Sequence, residues 1–214
     1  KVWCGVVKDI TTGEVWQYRP HQIQDMLTFI EEEVGTLIFH NGIRFDFPLL
    51  RKLFGWEFKG TKIDTLIMSR LQNPNRVVPP NCLNRRAGPH SIEAWGYRVG
   101  RGKPDHTDWS QFSEEMLHRC TEDVEIMHLV YNSLMNENED GSWTPAVKAS
   151  TRLFELLLRQ EEYGWTFDVE HAKFSIHLLT KWMDKIDRVI LPRLPQTFDV
   201  NQQKKGGEYN YVSK

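Results

Sequence analysis

Two segments of the sequence combine polar side chains with positions that could do chemistry. The first is Phe39-His40-Asn41-Gly42-Ile43-Arg44-Phe45-Asp46. A short apolar run ends here and a helical pattern begins. Its polar groups therefore fall at the carboxyl end of a strand, where open α/β sheets bind their ligands. Asp46 stands at the helix start, where a carboxylate either caps the helix or faces a site. The second segment is Arg119-Cys120-Thr121-Glu122-Asp123-Val124-Glu125. Asp123 lies next to Val124 and one helical turn from Cys120, at the edge of an apolar stripe. An unpaired carboxylate at such an edge is costly and calls for a cation or a metal. Taken singly, each feature has an ordinary explanation. Asp46 is more often a helix cap, Asp123 belongs to an acidic patch with Glu122 and Glu125, and Asn41-Gly42 is a common turn.

The surrounding pattern predicts the elements that must position these residues. Residues 2–18 read as a β-hairpin, with turn chemistry at Asp9 to Gly13. Ile23, Met26, Leu27 and Ile30 recur at helical spacing within Gln22 to Glu33, and Gly35 follows as a stop. Leu37 to His40 is a short apolar strand. Phe47 to Phe54 reads as a helix with Pro48 in its first turn. Lys62 to Thr65 is extended, and Leu66 to Leu71 is helical. Residues 72–90 form a loop rich in proline and arginine. Ser91 to Trp95 starts a short helix, with Ser91 as its cap. Residues 100–110 are loop-like. Ser113 caps a long helix to Met135, with the stripe Met116, Leu117, Cys120, Val124, Met127, Val130, Tyr131 and Leu134. Residues 137–147 read as a linker. Lys148 to Tyr163 and Val169 to Ile190 read as two helices in a hairpin, followed by an exposed polar tail at Gln202, Lys204, Lys205, Gly206 and Gly207. The expected domains are therefore 1–136 (α/β), then the linker, then 148–214 (helical).

Composition narrows the function classes. No stretch approaches the ~20 uncharged apolar residues of a membrane span. The 214 residues carry 27 Lys and Arg against 29 Asp and Glu, a formal net charge of −2, which argues against a uniform electrostatic grip on nucleic acid and leaves local basic patches available. Arg76 to Arg86, with Arg98, Arg101 and Lys103, form such patches, to be weighed equally as a grip on a single strand and as solvated loop. The tryptophans Trp3, Trp16, Trp56 and Trp95 are expected in the core. Three cysteines without a C-x-x-C pair argue against a disulfide scaffold or a zinc ribbon and fit a reducing compartment. The chain starts at Lys1 inside a strand-like run, so a preceding segment is expected.

The features become specific in combination. His40-Asn41 with Phe45-Asp46 is followed by Ile63-Asp64-Thr65-Leu66 and Ser69-Arg70-Leu71. Then come His90-Ser91-Ile92-Glu93-Ala94-Trp95-Gly96-Tyr97-Arg98 and Cys120 with Asp123-Val124. This ordered set resembles the proofreading 3′–5′ exonuclease domain of phage-type family A (polymerase I-like) DNA polymerases, members of the DEDD exonuclease superfamily. The resemblance covers roughly residues 1–136. Gln160 to Asp168 resembles the passage from exonuclease to polymerase domain.

The resemblance implies an α/β, RNase H-like mixed sheet flanked by helices, lacking its first strand and followed by the helical hairpin. It implies two-metal phosphodiester hydrolysis at a DNA 3′ end, with Mg²⁺ or Mn²⁺ ions ~4 Å apart. Asp46 and Asp123 match two of the four metal-binding, catalytic carboxylates. His40, Asn41, Arg44, Phe45, His90 and Arg119 fall on the DNA cleft. The implied partners are a single-stranded 3′ end, primer-template and nucleotides, with a processivity factor for the intact polymerase. The implied location is the host cytoplasm, as a viral replication protein. The family's leading Asp-x-Glu motif has no counterpart and is expected upstream of Lys1, so this chain alone is expected to hydrolyse DNA poorly. Arg119 stands where the family carries Tyr or His. A guanidinium cannot act as a base at neutral pH, and His118 is turned ~100° away on a helix. Two other readings share these residues: a stand-alone DEDD nuclease acting on RNA, and a non-catalytic DNA-binding module.

Overall fold

The computed structural model of the chain describes residues 1–104 and 106–193. The described residues divide into two compact units, one of residues 1–163 and one that begins at Gly164. The polar tail expected at Gln202 to Gly207 lies outside the described residues.

The first unit opens with the predicted hairpin. Strands β1 (Gly5–Lys8) and β2 (Val15–Tyr18) pair antiparallel, with Gly5 opposite Tyr18 and Lys8 opposite Val15. Helix α1 (Ile23–Glu33) buries Ile23, Met26, Leu27 and Ile30 on one face, the spacing that 3.6 residues per turn requires. Strand β3 (Thr36–Phe39), helix α2 (Asp46–Phe54), strand β4 (Thr61–Asp64) and helix α3 (Thr65–Gln72) follow. Strands β3 and β4 are parallel, with Thr36 opposite Thr61 and Phe39 opposite Asp64. Among the described residues the expected mixed sheet is thus two two-stranded sheets, because nothing pairs the free edges of β1 and β3. Gly42 allows the tight turn after β3: a Cβ there would lie 2.6 Å from the Phe39 ring.

Helix α4 (Ile92–Val99) begins at the predicted start and runs on to Val99. Ser91 caps it as expected, its Oγ accepting the Ala94 N–H at 3.2 Å, and Gly100 ends it in the left-handed region. Helix α5 (Glu114–Glu137) is capped by Ser113, whose Oγ accepts the Met116 N–H at 3.1 Å. Its buried residues include Ile126, absent from the predicted stripe. Val124 and Met127, which were in that stripe, line a cavity instead. Residues 138–143 connect α5 to α6 (Thr144–Tyr163), which starts earlier than predicted, with Pro145 tolerated in its first turn. Helix α6 packs on α3 and β4 within the first unit. In the second unit, Asp168 caps α7 (Val169–Ile190) by accepting the His171 N–H at 2.9 Å.

Three apolar clusters hold the first unit together. Helix α1 packs with Trp56 and Phe58. Met68 and Trp95 pack with Ile126, Val130 and Leu134 of α5. Phe39 and Ile43 pack with Ile67. Each such side chain contributes roughly 1.5–3 kcal/mol on burial. Of the four tryptophans expected in the core, Trp56 and Trp95 are buried, whereas Trp3 and Trp16 are only half-buried. The hairpin is tied along α5 by polar contacts: Arg19 to Glu114, Gln17 to Thr121 and Lys8 to Glu125.

Candidate functional site

The end of the β3–β4 pair is organised by a residue that sequence reading did not single out as functional. Asp64 ends β4, is 2% exposed, and caps α3 by accepting the Leu66 N–H at 2.9 Å. It also accepts the Asn41 N–H at 2.8 Å. These bonds hold Asn41 in the left-handed region, at φ 63°. Burial pushes the Asp64 carboxyl up, and the backbone donors pull against it. Beside it, His40 Nδ1 meets Thr65 Oγ1 at 2.9 Å, and that hydroxyl donates to the Phe39 carbonyl at 3.0 Å. Burial lowers the His40 pKa to about 4, with Arg70 and Lys103 among the charges assisting. His40 is therefore neutral near pH 7.

Asp46 begins α2, but its side chain is not the cap. Phe45 occupies the N-cap position, and no side chain there accepts an N–H. The structure thus removes the ordinary explanation for Asp46. It is exposed at the rim of a cavity. Partial desolvation by the cavity walls, then the charge of Asp64, push its pKa up to about 6.

Asp123 projects from the middle of α5 onto the same cavity, which has a volume of about 1110 Å³. The cavity runs between the free edges of β1 and β3 and is also lined by His40, Cys4, Cys120 and Lys103. The Cys120 thiol is pushed up, first by its hydrogen bond with Cys4, then by burial, with the negative charges of Asp123 and Asp46 adding. Both carboxylates therefore act on one point. Lys103 Nζ lies 2.9 Å from Asp123 Oδ1. The approach is off the hydrogen-bond direction, so this buried oxygen has a charge partner but no aligned donor.

The residues assigned by resemblance to the DNA cleft have varied surroundings. His40 lines the cavity. Phe45 is 66% exposed and unpacked, not core. Arg44 pairs with Glu161 of α6 at 2.7 Å. His90 Nδ1 meets Ser69 Oγ at 2.8 Å, and Ser69 Oγ accepts the Trp95 indole N–H at 3.0 Å. Arg119 donates to the Pro104 carbonyl and lies 5.5 Å from the Trp109 ring centre. Much of the basic patch also has internal partners. Arg76 forks onto Glu137, Arg98 donates to the Val77 carbonyl, and Arg101 binds Glu122. Asp64 carried a legible signal, an aspartate at a strand-to-helix boundary. Lys103 was legible as part of the basic patch, not as the partner of Asp123.

The donor set is suited in kind to a divalent ion: two carboxylates, hard oxygen ligands of the sort Mg²⁺ and Mn²⁺ prefer. Asp123 has a buried oxygen without an aligned donor, and Asp46 has a raised pKa. In number it falls short, since among the described residues no three His, Cys, Asp or Glu side chains cluster to hold an ion. Further oxygen ligands are required.

No family model matches the chain. The chain is 30% identical, over 259 aligned positions, to a DNA-directed DNA polymerase of Escherichia phage T7 and equally to one of Enterobacteria phage T3. The alignment takes in 97% of this chain and spans 36% of the length of each relative.

Proposed function

We propose, from this relationship to phage DNA polymerases, that the chain is part of a DNA-directed DNA polymerase and contributes its 3′–5′ proofreading exonuclease, with residues 1–136 as that domain, 137–147 as a linker and 148–214 as the start of the polymerase region. The carrying observation is the convergence of Asp46 and Asp123, remote in sequence, on one cavity between two unpaired strand edges. The cavity has backbone groups free on both sides, and one further strand between β1 and β3 would join the two small sheets into the RNase H-like sheet. An Asp-x-Glu on that strand would supply the missing ligands. The partners would be a DNA 3′ end, primer-template and nucleotides, with a processivity factor for the whole polymerase, acting in the host cytoplasm. No helix among the described residues is long and apolar enough to cross a membrane.

Asp46 and Asp123 would hold Mg²⁺ or Mn²⁺, which when bound activates water and stabilises the leaving 3′ oxygen. The chain's own residues do the rest. Neutral His40 lines the cavity without adding charge. Exposed Phe45 offers a ring against which a terminal base can stack. Arg70, Arg76 and Arg98 lie near His90, and this group of cations would meet the phosphates of the strand.

The test is Mg²⁺-dependent degradation of a labelled single strand by the polymerase polypeptide that carries these residues. Asp46→Ala and Asp123→Ala should each cut 3′–5′ hydrolysis by about a hundredfold or more and leave DNA synthesis intact. Undiminished hydrolysis in both variants would overturn the assignment. A second reading, a non-catalytic DNA-binding module, is favoured by one observation: Arg119 is turned onto Pro104 rather than towards Asp123. Absence of hydrolysis in the unaltered polypeptide would select it.

A further inference from the structure

Two thiols line the cavity and take no part in the proposed chemistry. Cys4 lies on the extended run that leads into β1, and Cys120 lies on α5. Both are half-buried and free. Contacts on either side of them pin the hairpin to α5 and its approach. Trp3, next to Cys4, donates its indole N–H to the Trp109 carbonyl at 3.2 Å. Gln17 Nε2 donates to Thr121 Oγ1, next to Cys120, at 2.9 Å. Lys8 Nζ meets Glu125 at 2.7 Å. Side chains alternate along an extended strand, so Cys4 shares the side on which Lys8 reaches α5. On α5, Thr121 and Glu125 lie one turn apart on the face that meets the hairpin. Cys120 stands beside that face, where it borders the cavity. The two thiols thereby come into hydrogen-bond contact. That contact pulls the Cys4 thiol down from its ordinary range and, with burial, pushes the Cys120 thiol up. Cys4 is then the better source of thiolate. The third cysteine, Cys82, is buried near Arg98 in the loop between α3 and α4.

We propose that Cys4 and Cys120 are a reversible oxidation site: a peroxide joins them as a disulfide that staples the edge of the hairpin to α5 at the wall of the cavity. This stands on the two thiols alone and does not need the exonuclease reading. Hydrogen peroxide is the two-electron oxidant. The Cys4 thiolate attacks one peroxide oxygen. An S–O bond forms, the O–O bond breaks, and the leaving hydroxide takes up the proton that Cys4 released, giving a sulfenic acid and water. The Cys120 sulfur then attacks the Cys4 sulfur. The S–S bond forms, the S–O bond breaks, and the leaving hydroxide carries off the Cys120 proton as a second water. A thiol such as glutathione restores both cysteines by exchange. Bridges of this kind in reducing compartments are transient and sense oxidant. Asp123 lies one helical turn from Cys120, so the bridge also fixes the acidic wall of the cavity against β1.

The test uses the full 214-residue chain at low concentration. It is treated with hydrogen peroxide, unfolded, alkylated with N-ethylmaleimide and digested without reductant for mass spectrometry. The expected product joins the peptides of Cys4 and Cys120, lighter by two hydrogens, with Cys82 alkylated as a free thiol. Dithiothreitol should return both thiols. In Cys120→Ser, dimedone should capture a sulfenic acid on Cys4. The bridge closes a long loop, so the oxidised chain should unfold at a urea concentration about 1 M higher than the reduced chain. That shift should be absent from Cys4→Ser and kept in Cys82→Ser. The peptide map needs no variant and decides the matter by itself. Cys4 and Cys120 recovered unlinked after peroxide, a bridge that includes Cys82, or linkage between two chains instead of within one overturns the proposal.

Discussion

The turn that leaves β3 and the turn that leaves β4 start from neighbouring parallel strands, and each puts an aspartate at a helix start. Their fates differ. Asp64, after β4, is buried and receives backbone donors from its own helix and from the other turn. Asp46, after β3, is exposed on a cavity and caps nothing. The same residue type at the same kind of boundary is a structural latch where backbone N–H groups converge on it. It is a chemical group where they do not. Asp64 is what gives the other turn its shape, so the saturated aspartate positions the open one.

Removing the latch should have the largest effect. Asp64→Ala leaves the Asn41 N–H buried without its partner and strips the cap of α3, and should lower stability by about 3 kcal/mol in urea unfolding. A loss below about 1 kcal/mol would break the contrast, because the turn after β3 would then hold itself. A smaller effect comes from His40, which bridges the two turns. In the fold it stays neutral down to about pH 4, against an ordinary 6.5. The unfolded chain therefore binds more protons between these values. The contribution is fully present above pH 6.5 and is lost as the pH falls towards 4. His40→Gln should flatten that part of the stability–pH curve, and an unchanged slope would show that His40 is not shielded. The smallest effect is expected on the exposed side of the β3 turn. Arg44 and Glu161 form an ion pair about half open to water. Arg44→Ala should change stability by less than about 0.5 kcal/mol. A larger loss would mean that α6 is fastened to this turn by charge rather than by packing on α3 and β4.

Periodicity carried most of the elements, because the residues that define them are local. Ile23, Met26, Leu27 and Ile30 announce α1, and Ser91 and Ser113 announce the starts of α4 and α5. The start of α4 was legible from Ser91, and its stop at Gly100 falls where the loop-like stretch begins. Ile126 was missed because the apolar face of α5 is chosen by Trp95 and Met68, which approach from other helices. For the site, Asp46 and Asp123 were legible as candidates. The exposure of Phe45 and the engagement of Arg44, Arg98 and Arg101 by acids and carbonyls were not, because those partners are distant in sequence.

The residues that could act, and the strand and helix ends that present them, were determined by sequence alone, since both depend on spacing within a few turns of chain. Which carboxylate is spent on backbone donors, which is left open, and which cation answers it were decided only in three dimensions. A charged group's behaviour is set by whatever surrounds it within a few ångströms. For Asp46, Asp64 and Asp123 those surroundings are assembled from segments tens of residues apart.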